Sequence, residues 1–166
     1  VQSDPMNEEP LTPTEEDRAP RRQRRRLARE LALKGTYQWL LSDNPLAQIE
    51  AQLAHDEDFP GADHELMLEL LRGAVSRADL WRAELTPFLR RRVEELSPVE
   101  HAVLLIAAVE LHAHPETAYK VILNEAIELT KRYGGTDGHK FINGVLDKYA
   151  AALRPDEVRA ARTPSR

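Results

Sequence analysis

The chain is 166 residues long, 42% hydrophobic and free of cysteine, which provides for one ordinary core and excludes disulfides, thiolate metal sites and thiol catalysis. Its formal net charge of -5 and pI of about 5.7 argue at first against a nucleic-acid partner. The longest apolar run, Ala102 to Val109, falls far short of the roughly 20 residues a bilayer span requires. The acidic, proline-bearing start also lacks the basic and then apolar order of a secretory leader, so a cytoplasmic chain with no membrane partner is expected. Charge is segregated, however: residues 1–17 hold six acids and no base, leaving 23 bases against 22 acids in the remainder, and seven arginines with no acid lie between Arg18 and Arg29. Segregation of that kind is what local electrostatic binding needs.

Residues 1–20 carry Pro5, Pro10, Pro13 and Pro20 with few large apolar side chains. Burial cannot offset the entropy of ordering such a segment, and a disordered acidic tail is expected. From Arg21 to Ser42 proline is absent, and Ala28, Leu31, Ala32, Gly35 and Trp39 recur at helical spacing. They form one buried stripe whose small residues suit close approach to a neighbouring helix. Ser42 to Pro45 reads as a turn, Pro45 to about Asp56 as a short helix, and residues 56–62 as a loop. Asp63 is placed to cap a long helix through Leu85, which Pro87 ends before a short turn from Phe88 to Glu95. Ser97-Pro98-Val99-Glu100 combines a reciprocal capping box with proline at the first helical position. The helix it opens is apolar on every face from Ala102 to Val109, the mark of a central helix. A helix from about Thr117 to Tyr133 and another from Gly138 to about Leu153 complete an all-α domain, residues 21–155, of about seven helices in stacked helical bundles. Residues 156–166 read as a flexible, basic, Ala-rich C-terminal tail.

Two places carry charge in a pattern that binding chemistry can use. Arg22, Arg25, Arg26 and Arg29 are spaced i, i+3, i+4, i+7 and form one stripe beside the apolar one. Like charges at these spacings cost helix stability, and no acid in the stretch compensates them. At the other place, Gly134 and Gly135 offer the positive-φ freedom that ends a helix, and Asp137 stands where a carboxylate caps the next. His139, Lys140 and Phe141 follow; a base beside an aromatic face holds a phosphate and stacks the adjoining nucleobase. Other clusters point to no chemistry. Glu94, Glu95 and Glu100 lack the separation across a cleft of an acid–base pair. Glu110 and His114 are i, i+4, but His112 and His114 do not face together on a helix, so with His101 they read as surface histidines rather than metal ligands. The double glycine lacks the Lys-Ser/Thr of a nucleotide loop. A binding protein without cofactor or catalytic role is expected.

The run from Asn124 to Lys148, NEAIELTKRYGGTDGHKFINGVLDK, resembles the C-terminal signature of the NusB family of bacterial transcription antitermination factors. Arg26-Leu27-Ala28-Arg29-Glu30 through Tyr37, Trp39 and Ser42 is similar to the family's first helix. Pro87-Phe88-Leu89, Glu94-Glu95-Leu96 and Val99-Glu100 are similar to its middle, and Tyr119-Lys120-Val121 leads into the signature. The likeness covers about Arg22 to Pro155 in order. It implies a partner, the single-stranded boxA element of nascent RNA, met by Arg25, Arg26 and Arg29 (with Arg22 on the same stripe) and by Asp137, His139, Lys140 and Phe141. It also implies a surface around Glu94 and Glu100 that receives NusE, a small ribosomal protein serving in transcription, and through that complex an indirect link to transcribing RNA polymerase, supporting rRNA transcription. Gly138 departs from the family's usual serine, which removes a hydroxyl from the loop.

Two other readings stand beside this one. A helical protein-interaction module would set the arginine stripe on an acidic protein partner; salt dependence tied to RNA rather than to a protein surface separates the two. The RNA-binding part of an RNA methyltransferase is a third, and with Arg166 so soon after the last expected helix no cofactor domain is expected.

Overall fold

The structure is a computed structural model describing residues 19–163; the expected acidic tail, except its last two residues, and residues 164–166 lie outside the described residues. Eight α-helices and no strand occur among those residues: α1 (Arg21–Leu41), α2 (Leu46–Leu53), α3 (His64–Ser76), α4 (Ala78–Leu85), α5 (Pro98–Ala113), α6 (Tyr119–Tyr133), α7 (Gly138–Leu153) and α8 (Pro155–Arg162). Tight 3-10 turns at Phe59–Gly61, Thr86–Phe88 and Val93–Glu95 bridge the gaps.

Two of the three expected helix caps, at Asp63 and Ser97, form as local chemistry dictates. Asp63 accepts a hydrogen bond from the Leu66 amide at 3.1 Å. The Glu100 amide donates to Ser97 Oγ and the Ser97 amide to Glu100 Oε1, each at 3.1 Å, so the box at the head of α5 is closed in both directions. From Ala102 to Leu111 every residue of α5 is buried. Helix α5 packs on α1 and α3, which also pack on each other, and on α6 and α7, which do likewise. Two bundles therefore share α5 as their common wall. Gly35 explains how α1 and α3 come so near: a Cβ there would stand 2.9 Å from Leu71 Cδ1.

Two segments differ from the sequence expectation. The long helix from Asp63 breaks at Arg77, whose φ of -122° and ψ of 25° leave the helical region. The break lets α4 turn so that the Trp81 indole donates to the Gly73 carbonyl at 2.8 Å, satisfying an acceptor that α3's end leaves open. After Pro155, where a tail was expected, α8 forms and buries Val158. Arg154 fastens this corner by donating to the carbonyls of Leu111 at 2.7 Å, His114 at 2.9 Å and Thr117 at 2.7 Å. Glu157 on α8 accepts from the Tyr119 amide at 2.8 Å and so caps α6 across space.

Candidate nucleic-acid interface

The arginine stripe of α1 is divided by its burial. Arg29 is 4% exposed, and its guanidinium grips Glu110 of α5 as a fork, Nε to Oε1 at 2.8 Å and Nη2 to Oε2 at 2.6 Å. Glu110 sits in the buried run of α5, where an unpaired carboxylate would be prohibitively costly, and the approach of α1 supplies its cation. Burial works against a charged Arg29, but the hydrogen bonds and charge of Glu110 outweigh it and raise the guanidinium pKa further. Arg25 lies 3.9 Å from both Glu110 and Asp63. Arg26 makes a second fork, to Glu125 of α6, at 3.2 and 3.0 Å, yet remains 46% exposed. Only Arg22 of the four is exposed with no ion pair among the described residues. The acids missing from the sequence around the stripe are thus supplied by α5 and α6, and Arg29 is withdrawn from the surface where it was expected.

The start of α7 is built differently. Gly134 is extended, with φ -97° and ψ -175°, and no described glycine has positive φ, so the expected left-handed helix end does not occur. What requires glycine at 134 is space: a Cβ there would stand 2.7 Å from the Thr130 carbonyl oxygen. Asp137 makes no capping hydrogen bond, because its φ of -112° and ψ of 6° depart from the extended backbone that points a cap side chain at the helix. Its carboxylate lies instead 3.6 Å from Lys140 Nζ, with Asp137 80% and Lys140 74% exposed. His139 is half-buried on the same turn, and Phe141 is half-buried with the Arg91 guanidinium 4.0 Å from its ring centroid. Arg22, Arg25 and Arg29 line one groove, between α1 and α6; Lys140 and Phe141 line another, between α7 and the chain at Phe88 to Arg90. Arg132, near the end of α6, lines a further groove with Arg22 and Arg26 and is paired with Glu30 of α1.

The two acids assigned to a protein partner also differ. Glu94 is exposed, while Glu100 is 7% exposed, occupied in its capping box and 3.7 Å from Arg91 Nη1. Each histidine of the discounted metal set has its own neighbour: His101 accepts from Arg82 Nε at 3.0 Å, His112 meets Glu84 at 2.9 Å, and His114 meets Glu116 at 2.7 Å. His101 is half-buried rather than on the surface, and burial with the nearby Arg82 charge lowers its pKa to about 4, leaving it neutral. Sequence reasoning missed Glu110, Glu125 and Arg91 as parts of the site. The signal for Glu110 was present, since a lone acid in an otherwise apolar helix demands a cation.

The NusB family model matches residues 26–151, which hold Arg26 and Arg29 of the stripe and the whole α7 turn. The chain belongs to the NusB family. Transcription antitermination protein NusB of Aromatoleum aromaticum is 55% identical over 139 residues, covering 84% of this chain and 96% of that protein. Its counterpart in an Azoarcus species is 55% identical over 142 residues, 85% and 92% of the two chains. Among solved structures, T. maritima NusB superposes with a TM-score of 0.70 at 27% identity, over 86% of this chain and 99% of that one. A NusB crystallised with NusE and double-stranded RNA shares the fold, with a TM-score of 0.68 at 21% identity, over 78% of this chain and 98% of that one. No helix among the described residues is long and apolar enough to cross a membrane.

Proposed function

We propose that this chain is a cytoplasmic transcription antitermination factor that binds single-stranded boxA-type RNA together with NusE and through that complex acts on transcribing RNA polymerase. The observation that carries this reading is the start of α7, where an exposed lysine adjoins an aromatic ring in a chain of NusB sequence. Lys140 supplies the phosphate contact, and Phe141, backed by the Arg91 guanidinium, supplies the stacking platform. Asp137 and His139 present hydrogen-bonding groups to base edges. Arg22, and Arg26 through its exposed part, extend the electrostatic track. Arg25 and Arg29 act through the ion pairs that hold α1 in place. Glu94 is the acid offered to NusE; Glu100 serves that face by fixing the head of α5.

This is a binding role rather than a catalytic one. The rival reading, an arginine stripe reserved for an acidic protein, loses ground because the stripe's own acids already occupy Arg25, Arg26 and Arg29. Titrating labelled boxA-type RNA with the protein, alone and with NusE, tests the proposal. Saturable, salt-sensitive binding strengthened by NusE is expected, and equal affinity for any acidic protein with none for RNA overturns it.

A further inference from the structure

Beyond Lys140 and Phe141, α7 carries a feature that the boxA reading does not use. Lys140, Gly144 and Lys148 fall at i, i+4 and i+8, so they share one face over roughly 12 Å of helix rise. All three are exposed, and a Cβ built on Gly144 meets nothing within 4 Å, so the face is flat and open between the two lysines. Across the groove stands Arg90, exposed and held at a φ of 52°, a left-handed conformation that a non-glycine residue adopts at a cost. Its neighbour Leu89 is 1% exposed, which pins the loop, and Phe88 and Phe141 give the groove aromatic walls. Neither Arg90 nor Lys148 has an ion-pair partner among the described residues.

We infer that this groove is a second binding strip for the sugar-phosphate backbone of single-stranded RNA, running along α7 from Lys140 to Lys148 with Arg90 opposite. The inference rests on the RNA-binding reading above and extends it: the strip receives nucleotides flanking the element held at the α7 start. Exposed cations spaced along an open face bordered by rings, Lys140 with one loose exposed neighbour and Arg90 and Lys148 with none among the described residues, are what a sequence-tolerant track requires. A protein partner would instead rely on a closed pocket for a buried anchor, and the open stretch at Gly144 provides none.

The test uses the full chain and a double variant, Arg90→Gly with Lys148→Gln. Glycine relieves the left-handed backbone, so the variant stays folded, and melting curves verify this. Two RNAs are titrated: a short boxA-type strand and the same strand lengthened at either end. The wild-type chain is expected to bind the longer strand roughly tenfold more tightly, and the variant to lose that gain together with about 1.4 of the salt slope, two phosphate contacts at about 0.7 each. Affinity for the short strand should stay within about twofold of wild type. No gain from lengthening in the wild type, an unchanged gain in the variant, or a variant that loses NusE affinity but keeps the long-strand gain overturns the inference. Failure of the wild type to bind the short strand overturns instead the RNA-binding reading on which it rests.

Discussion

The head of α1 and the head of α7 are both basic, but the first is wired into the protein and the second faces out. At α1 three of four stripe arginines meet carboxylates of neighbouring helices or loops, and one of those pairs is almost fully buried. At α7, Lys140 has one loose, exposed neighbour at 3.6 Å, and the groove beyond it has cations with no acid. The density of positive charge in a sequence therefore does not measure the charge available to a partner. What decides it is whether the rest of the fold has already supplied the anion.

The largest way to break this contrast is to cut the buried pair. Arg29→Ala or Glu110→Ala strands a charge in the core and should cost about 3–5 kcal/mol of stability by urea unfolding. Replacing both, as Arg29→Met with Glu110→Leu, should recover most of that loss. If Arg29→Ala left stability unchanged, the arginine would not be a structural element.

Next in size is the stacking contact. Phe141→Ala should weaken boxA-type RNA by about 1–3 kcal/mol with little change in salt slope, measured by titration at several ionic strengths. A large fall in slope would mean that the variant had disturbed phosphate contacts instead.

How far these features were legible depends on the reach of the interactions behind them. The capping box at Ser97 and Glu100 and the cap at Asp63 are contained within a few residues, and sequence alone placed them. The all-face apolar run of α5 likewise announced a central helix. The partners of Arg29 and Arg26 lie 81 and 99 residues away, and no local pattern indicates which acid a folded chain will bring to an arginine. Helix α8 hides for a related reason: it buries one side chain, Val158, and owes its place to the contacts of Arg154 and Glu157 with the corner between α5 and α6. At the α7 turn, the positive φ expected of Gly134 and Gly135 does not occur, and what requires glycine at 134 is the nearness of the Thr130 carbonyl.

A smaller effect sharpens the comparison at its intermediate case, Arg26, which is paired but half-exposed. Glu125→Gln keeps the shape of the fork and removes its charge, so stability should fall by no more than about 1 kcal/mol. The same change should raise RNA affinity slightly, most at low salt, as Arg26 becomes available. Unchanged affinity at low salt would place Arg26 with the structural arginines. Smallest of all, charge reversal of the exposed Glu94 should weaken NusE binding and leave the melting temperature within about 1 °C, as surface changes usually do.

The salt dependence of boxA-type RNA binding tests the division between the two regions most directly, with wild type compared against two double variants. Arg22→Gln with Lys140→Gln removes the exposed cations, and the slope of log affinity against log salt should fall by about 1.4, some 0.7 for each lost phosphate contact. Arg29→Met with Glu110→Leu removes the buried pair and should leave the slope where it was. The opposite pattern, a slope lost with Arg29 and kept without Arg22 and Lys140, would contradict the account.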